Sequence, residues 1–153
     1  MKLIDLLDQD DITLNVPFTS KKRLFELLAD KLGDDDKMSM AIYNALVQRE
    51  KLGNTSLGNG IAFPHGKCLA DREIRIHLVK LKQEVNFENV DEVSVGVVVA
   101  AVFPKQTNKS HQEIMNDAVA FFRQHRLYKL ILDATSKTQV LDNIMEYFQK
   151  CNS

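Results

Sequence analysis

The run Val93-Ser94-Val95-Gly96-Val97-Val98-Val99-Ala100-Ala101-Val102-Phe103 limits the possible folds more than any other stretch of this chain. It is apolar and β-branched almost throughout, which favours a strand. A strand with one wet face alternates apolar and polar residues. This run does not alternate, so it is expected as a central strand covered on both faces. A sheet built around it needs helices on each side, which gives an α/β or α+β sandwich.

The remaining segments supply those helices. Lys21 to Leu32 carries Leu24, Phe25, Leu27, Leu28 and Leu32 at helical spacing, with Thr19 or Ser20 as cap and Gly33 as stop. Asp34-Asp35-Asp36 leads a second helix, from about Lys37 to Lys51, with Met38, Ala41, Ile42, Ala45 and Leu46 on its buried stripe. Three helices are expected to close the chain, at about Ser110 to Gln124, Arg126 to Asp133 and Ser136 to Lys150. The last opens on a capping-box pattern, Ser136-x-x-Gln139. Ile12 to Val16 fits an edge strand ended by Pro17. Ile74, Ile76 and Leu78 alternate with Arg75 and His77 as in a half-buried strand.

At 153 residues a single domain spanning 1–153 is expected. The formal net charge is −1 with no basic run, which argues against a nucleic-acid surface. The N-terminus has no signal-peptide pattern, and no apolar run approaches the roughly 20 residues of a membrane span, so the cytoplasm is the expected location. Cys68 and Cys151 make no disulfide framework.

The least ordinary stretch is Gly58-Asn59-Gly60-Ile61-Ala62-Phe63-Pro64-His65-Gly66-Lys67. A short apolar segment runs straight into Pro-His-Gly. Pro64 fixes its own φ and biases Phe63 towards extended geometry. Gly66 lacks a Cβ, so a partner could come close to the imidazole. A histidine on a stiff stalk suits a nucleophile that must meet a bulky donor. A loop histidine that happens to follow a proline fits the local pattern equally well.

Other chemistries fit less well. A Walker A loop needs four residues between its first glycine and Gly-Lys, then Ser or Thr. Here five residues separate Gly60 from Gly66-Lys67, and Cys68 follows. A Cys68/His65 nucleophile pair lacks a third orienting group, and a buried inert thiol is the commoner case. His65, His77, His111 and His125 show no metal-ligand spacing, and neither a metal nor a cofactor is expected. His77 and His125 read as structural.

Two residues could serve His65. Arg49 lies three residues after Leu46 and seven after Ile42, on the helix's apolar stripe. An arginine there needs an anion, and its planar fork matches phosphoryl oxygens. A snorkelling arginine at a helix end fits as well. Ser110-x-x-Glu113 predicts a capping box that makes His111 the first helical residue, on the inward face with Ile114 and Met115. A helix N-terminus attracts anions and disfavours imidazolium, which suits a neutral histidine donating to a phosphate. A purely structural hydrogen bond at the helix start fits somewhat better on these residues alone.

With these residues in place, the chain resembles the IIA domains of the mannitol/fructose class of the bacterial sugar phosphotransferase system. The residues that carry the resemblance are Leu57-Gly58-Asn59-Gly60-Ile61-Ala62-Phe63-Pro64-His65-Gly66, Gln48-Arg49-Glu50-Lys51-Leu52-Gly53 and the segment from Pro104 to His111. The Arg49 to Gly66 stretch looks most like the nitrogen-regulatory branch. The resemblance implies a single mixed β-sheet flanked by helices on both faces. It implies His65 as phosphoryl acceptor, through a tele-phosphohistidine intermediate, with Arg49 and His111 assisting. It implies an HPr-like phosphohistidine protein as donor and regulatory target proteins as partners. A transport component that passes phosphate to a fructose- or mannitol-type IIB protein, and a binding regulator that never carries phosphate, are the competing expectations. Phe63 stands where the family usually has an aliphatic residue, which bears on partner fit.

Overall fold

The computed structural model describes residues 2–70, 73–87 and 94–151. Val93, the first residue of the expected central strand, lies outside them. In chain order the elements are β1 (Ile12–Val16), α1 (Lys21–Leu32), α2 (Asp36–Lys51), β2 (Ile61–Ala62), β3 (His65–Leu69), β4 (Arg75–Asn86), β5 (Ser94–Pro104), α3 (Lys109–Phe122), α4 (His125–Asp133) and α5 (Lys137–Cys151). Two short 3-10 turns, Leu3–Leu6 and Gln9–Asp11, precede β1. The sequence reading did not place these turns.

β5 is the expected central strand, and it is buried from Val95 to Pro104. β4 lies antiparallel on one side of it, with Ile76 opposite Ala101 and Val79 opposite Val98. β1 runs parallel to β4 and forms one edge of the sheet. On the far side of β5, β2 and β3 lie one after the other, both parallel to β5. Ile61 pairs with Val97 and His65 with Ala101, so the second edge is broken at Phe63 and Pro64.

Each face of this mixed sheet has its own core. Val97, Val99, Ala101 and Phe103 pack with the N-terminal turn and α3, α4 and α5. Val98, Ala100 and Val102 pack with Leu24, Phe25 and Leu28 of α1 and Ile42 and Leu46 of α2. The alternation along β5 sends successive side chains into opposite cores, which explains the unbroken apolar run.

Most helix limits agree with the sequence reading to within a residue or two. Ser20 is the α1 cap: its Oγ accepts from Arg23 N at 3.1 Å. Asp35 caps α2 by accepting from Met38 N at 2.8 Å, so the helix starts at Asp36. Ser136 Oγ accepts from Gln139 N, but Gln139 reaches back to Thr135 rather than to Ser136. Two expectations need correction. β4 is not half-buried along its length: Ile76 to Val79 are buried on both faces, and only its second half emerges at Lys82, Gln83 and Glu84. Its first half lies between β1 and β5 under both helical layers. In addition, the residues after His65 form a strand, β3, which was not anticipated. Hydrogen bonding to β5 decides this, and β3 has no strong period of its own.

Candidate functional site

The C-terminal turn of α2 and the glycine-rich loop form one hydrogen-bonded unit. Glu50, whose side chain is only 9% exposed, accepts from Lys21 Nζ at 2.7 Å. It also accepts from Thr55 N at 3.2 Å and from Thr55 Oγ1 at 2.7 Å. Thr55 is buried, and its carbonyl accepts from Phe63 N at 2.9 Å. Leu57 N donates to Ile61 O at 2.9 Å, so residues 55–57 fold back along 61–63. At the tip, Gly58 and Gly60 take φ values of +85° and +99°, and a Cβ on Gly60 would run into the Tyr128 ring. Asn59 Nδ2 ties the tip to the Phe122 carbonyl at 2.7 Å.

This unit presents His65 at the first residue of β3. Its ring is 2.9 Å, through Nδ1, from the carbonyl of Phe63. A carbonyl can only accept, so Nδ1 carries the proton, and among the described residues the Nε2 lone pair has no hydrogen-bond partner. Burial lowers the His65 pKa. The Phe63 carbonyl works against that shift, and the Arg49 charge adds to it. Both effects of burial and Arg49 favour a neutral imidazole with a usable lone pair.

Phe63 lies beneath this ring, 5.6 Å between centroids, and stacks on Phe122 at 6.3 Å. It is 1% exposed, so any effect of Phe63 on partner fit must act through the His65 ring that it packs against rather than by direct contact. The role expected for Gly66 also changes. It is buried, and a Cβ there would sit 3.0 Å from Ala45 Cβ and 3.2 Å from the Ala45 carbonyl carbon. The missing side chain lets α2 approach β3; it does not open a path for a partner.

Arg49 emerges at the end of the α2 stripe. Its side chain is not directed into the core: Nη1 donates to the Gly53 carbonyl at 2.8 Å, at an exposed position. The stripe runs past the end of the apolar layer there, so the guanidinium reaches the surface near His65 and acts on its charge state. His111 is also displaced from expectation. The α3 cap is Asn108, not Ser110, and its Oδ1 accepts from His111 N at 2.8 Å. His111 is thus the third helical residue, and its Nδ1 accepts from Asn108 N at 3.2 Å. A backbone N–H can only donate, so the His111 proton is on Nε2. Lys105, Thr107, Asn108 and His111 line an open cleft of about 560 Å3 beside the end of β3. Among the described residues no hydrogen bond or ring contact joins His65 to His111.

The other candidates are placed elsewhere. His77 is 3% exposed, with Nε2 2.7 Å from Thr13 Oγ1. His125 begins α4 on the surface. Cys68 packs at the margin of the α1–α2 core, and burial pushes its thiol pKa up, which weakens it as a nucleophile. No group of three or more His, Cys, Asp or Glu among the described residues is arranged to hold a metal ion. The sequence reading missed Glu50 and Thr55. The one available signal was a charged residue beside Arg49 at a helix end, and this does not distinguish a buried carboxylate from a solvated one.

The family model for the phosphoenolpyruvate-dependent sugar phosphotransferase system, EIIA 2, matches residues 5–147. A nitrogen regulatory protein homolog of Haemophilus influenzae is 29% identical over 146 residues, 92% of this chain and 88% of its own. The 2-O-alpha-mannosyl-D-glycerate-specific EIIABC component of Escherichia coli is also 29% identical, over 92% of this chain but 22% of its own length. The nitrogen regulatory protein IIA-Ntr of Neisseria meningitidis superposes with a TM-score of 0.82 at 25% identity, covering 93% of this chain and 98% of that one. Enzyme IIA-mannitol of E. coli, solved in complex with phosphorylated enzyme IIB-mannitol, has a TM-score of 0.71 at 17% identity, with 92% and 97% covered. That last likeness concerns the fold.

Proposed function

The chain belongs to the EIIA 2 family of the phosphoenolpyruvate-dependent sugar phosphotransferase system, and from that premise we propose that it accepts a phosphoryl group on His65 Nε2 and signals through its phosphorylation state. An HPr-like phosphohistidine protein is the donor in this reading, and residues 1–153 act as one IIA domain. The observation that carries it is the bond from His65 Nδ1 to the Phe63 carbonyl, which leaves Nε2 as the free lone pair.

In the transfer step the donor's P–N bond breaks and a P–N bond to His65 Nε2 forms. The donor imidazole recovers its lone pair. Attack places positive charge on the His65 ring, and the Phe63 carbonyl stabilises it at Nδ1–H. Phosphoryl transfer requires positioning and charge stabilisation more than covalent help from the protein. Arg49 supplies a fixed cation at the site's rim. His111, its Nε2–H available, supplies a neutral donor for a phosphoryl oxygen. The phosphohistidine would be a phosphoramidate and therefore acid-labile.

The test is incubation with a phosphorylated HPr-like carrier, followed by mass mapping of the acid-labile label. Label on His65 supports the reading, and its absence favours a binding regulator that carries no phosphate. A second reading has a specific observation behind it: the regulatory homolog and the sugar-specific EIIABC component are equally similar to this chain, at 29%. Partner capture with phosphorylated and unphosphorylated protein separates the two. A regulator retains at least one partner in only one state. If the only state-dependent event is rapid transfer to a sugar-specific IIB protein, the transport reading replaces it.

A further inference from the structure

We propose that Glu50 is a positioning residue for His65, holding the carbonyl that keeps the His65 proton on Nδ1. The inference rests on the phosphocarrier reading for its kinetic consequence, but its structural part concerns the unphosphorylated protein alone. The contacts form one continuous path. Lys21 Nζ, at the first residue of α1, donates to Glu50 Oε2. Glu50 accepts from both the backbone N–H and the hydroxyl of Thr55. The Thr55 carbonyl accepts from Phe63 N, and the Phe63 carbonyl accepts from His65 Nδ1.

Two features make this a device for orientation. The first concerns Glu50 itself. A carboxylate 9% exposed at a helix end costs free energy unless its oxygens are satisfied, and here three donors converge on it. Those donors come from α1 and from the loop, so Glu50 joins two elements distant in sequence at the base of the site. The second concerns Phe63, which lies between β2 and β3 where the edge strand is broken. The Thr55 pairing is what holds its amide at that break. Which imidazole nitrogen keeps the proton follows from the hydrogen bond that the ring makes. If the Phe63 carbonyl shifts, Nδ1 loses its acceptor and the proton can move to Nε2, the atom that must attack.

Three variants test this: Glu50→Gln, Thr55→Val and Thr55→Ser. The first keeps the shape of the side chain but replaces one acceptor oxygen with a donor facing donors. The second removes only the hydroxyl, and the third restores it. The first readout is 15N NMR of the His65 imidazole in unphosphorylated protein, which distinguishes a protonated nitrogen from a bare one. The second is the rate of phosphorylation by a phosphorylated HPr-like carrier. Glu50→Gln and Thr55→Val are expected to lower the Nδ1–H population and slow transfer about tenfold or more, on the scale of misplaced reacting groups. Thr55→Ser is expected to keep both at the wild-type level. An unaltered His65 15N spectrum in Glu50→Gln and Thr55→Val overturns the proposal. If Glu50→Gln does not fold, Thr55→Val against Thr55→Ser decides. If wild-type protein takes no label, the phosphocarrier reading fails while the NMR comparison still tests Glu50.

Discussion

His65 and His77 lie in strands on the two sides of β5, and burial lowers the pKa of both. His77, in β4, is 3% exposed and holds its Nε2 against Thr13 Oγ1. His65, at the broken edge, is half-buried, and its one hydrogen bond among the described residues runs from Nδ1 to a carbonyl two residues back. Burial has depressed basicity in each case, so a shifted pKa does not distinguish a reactive histidine from a structural one. The distinction lies in which nitrogen is left open and whether another molecule can reach it. His77, at 3% exposure, is closed to another molecule, whereas His65 is half-buried and hydrogen-bonded through Nδ1, which leaves Nε2 as the nitrogen that the phosphocarrier proposal uses.

The most severe test of this contrast is removal of each ring. His65→Ala is expected to abolish acid-labile labelling by a phosphorylated carrier, whereas His77→Gln is expected to keep it. Mass mapping reads both, and label retained in His65→Ala would break the comparison outright. Next in size are Arg49→Ala and His111→Ala. In the proposed transfer step each residue supplies charge or a hydrogen bond to the migrating group, so each variant is expected to slow transfer by about 10²–10³-fold, the scale of losing an oxyanion-hole donor. Rapid-quench kinetics measure the rates, with circular dichroism as the check on folding. Wild-type rates in both variants would leave Arg49 as a cap for the Gly53 carbonyl and His111 as part of the Asn108 cap.

Stability against pH sharpens the other side. His77 has its pKa lowered from 6.5 to about 4, chiefly by burial, with Lys31 and Lys137 adding to it. The unfolded chain therefore binds this proton more readily than the folded one. The stabilising contribution is complete above about pH 6.5 and is lost as pH falls towards 4, to a total of roughly 3 kcal/mol. Denaturant titrations between pH 7 and pH 4 should show that loss, and His77→Gln should flatten it. His65 adds to the loss in the same direction. The smallest expected effect is that of Phe63→Leu, which restores the aliphatic residue usual in the family. This large-to-small change in a fully buried side chain loses the Phe122 stack and leaves a small void, and is expected to cost about 1–2 kcal/mol. Thermal melts measure it. Phe63 is buried under the ring, so carrier binding should change little, and a large loss of binding would restore Phe63 to the partner surface.

Much of the architecture was legible because periodicity reports burial. The unbroken apolar run of β5 required covered faces, and the 3.6-residue stripes of α1 and α5 supplied the covers. Pro64-His65-Gly66 stood out for its local stiffness and through the family resemblance, but its place at the broken edge of the sheet came only from the structure. β3 was not legible, because its residues become a strand only where β5 offers hydrogen-bond partners. The α3 cap was misplaced because Asn108 and Ser110 are both good N-caps. The structure selects Asn108, whose Oδ1 accepts from His111 N.

The sequence by itself thus determined a buried central strand, helices for both of its faces and a histidine worth examining. Each of these depends on residue type and on spacing along the chain. The tertiary structure alone decided what those residues can do: the free Nε2 of His65, the Nε2–H of His111, the surface position of the Arg49 guanidinium and the packing role of Gly66. A side chain's nearest partners are chosen in space. The Glu50 carboxylate takes its three donors from Lys21 and Thr55, and no spacing rule joins residues 21, 50 and 55 until α1, α2 and the loop have packed.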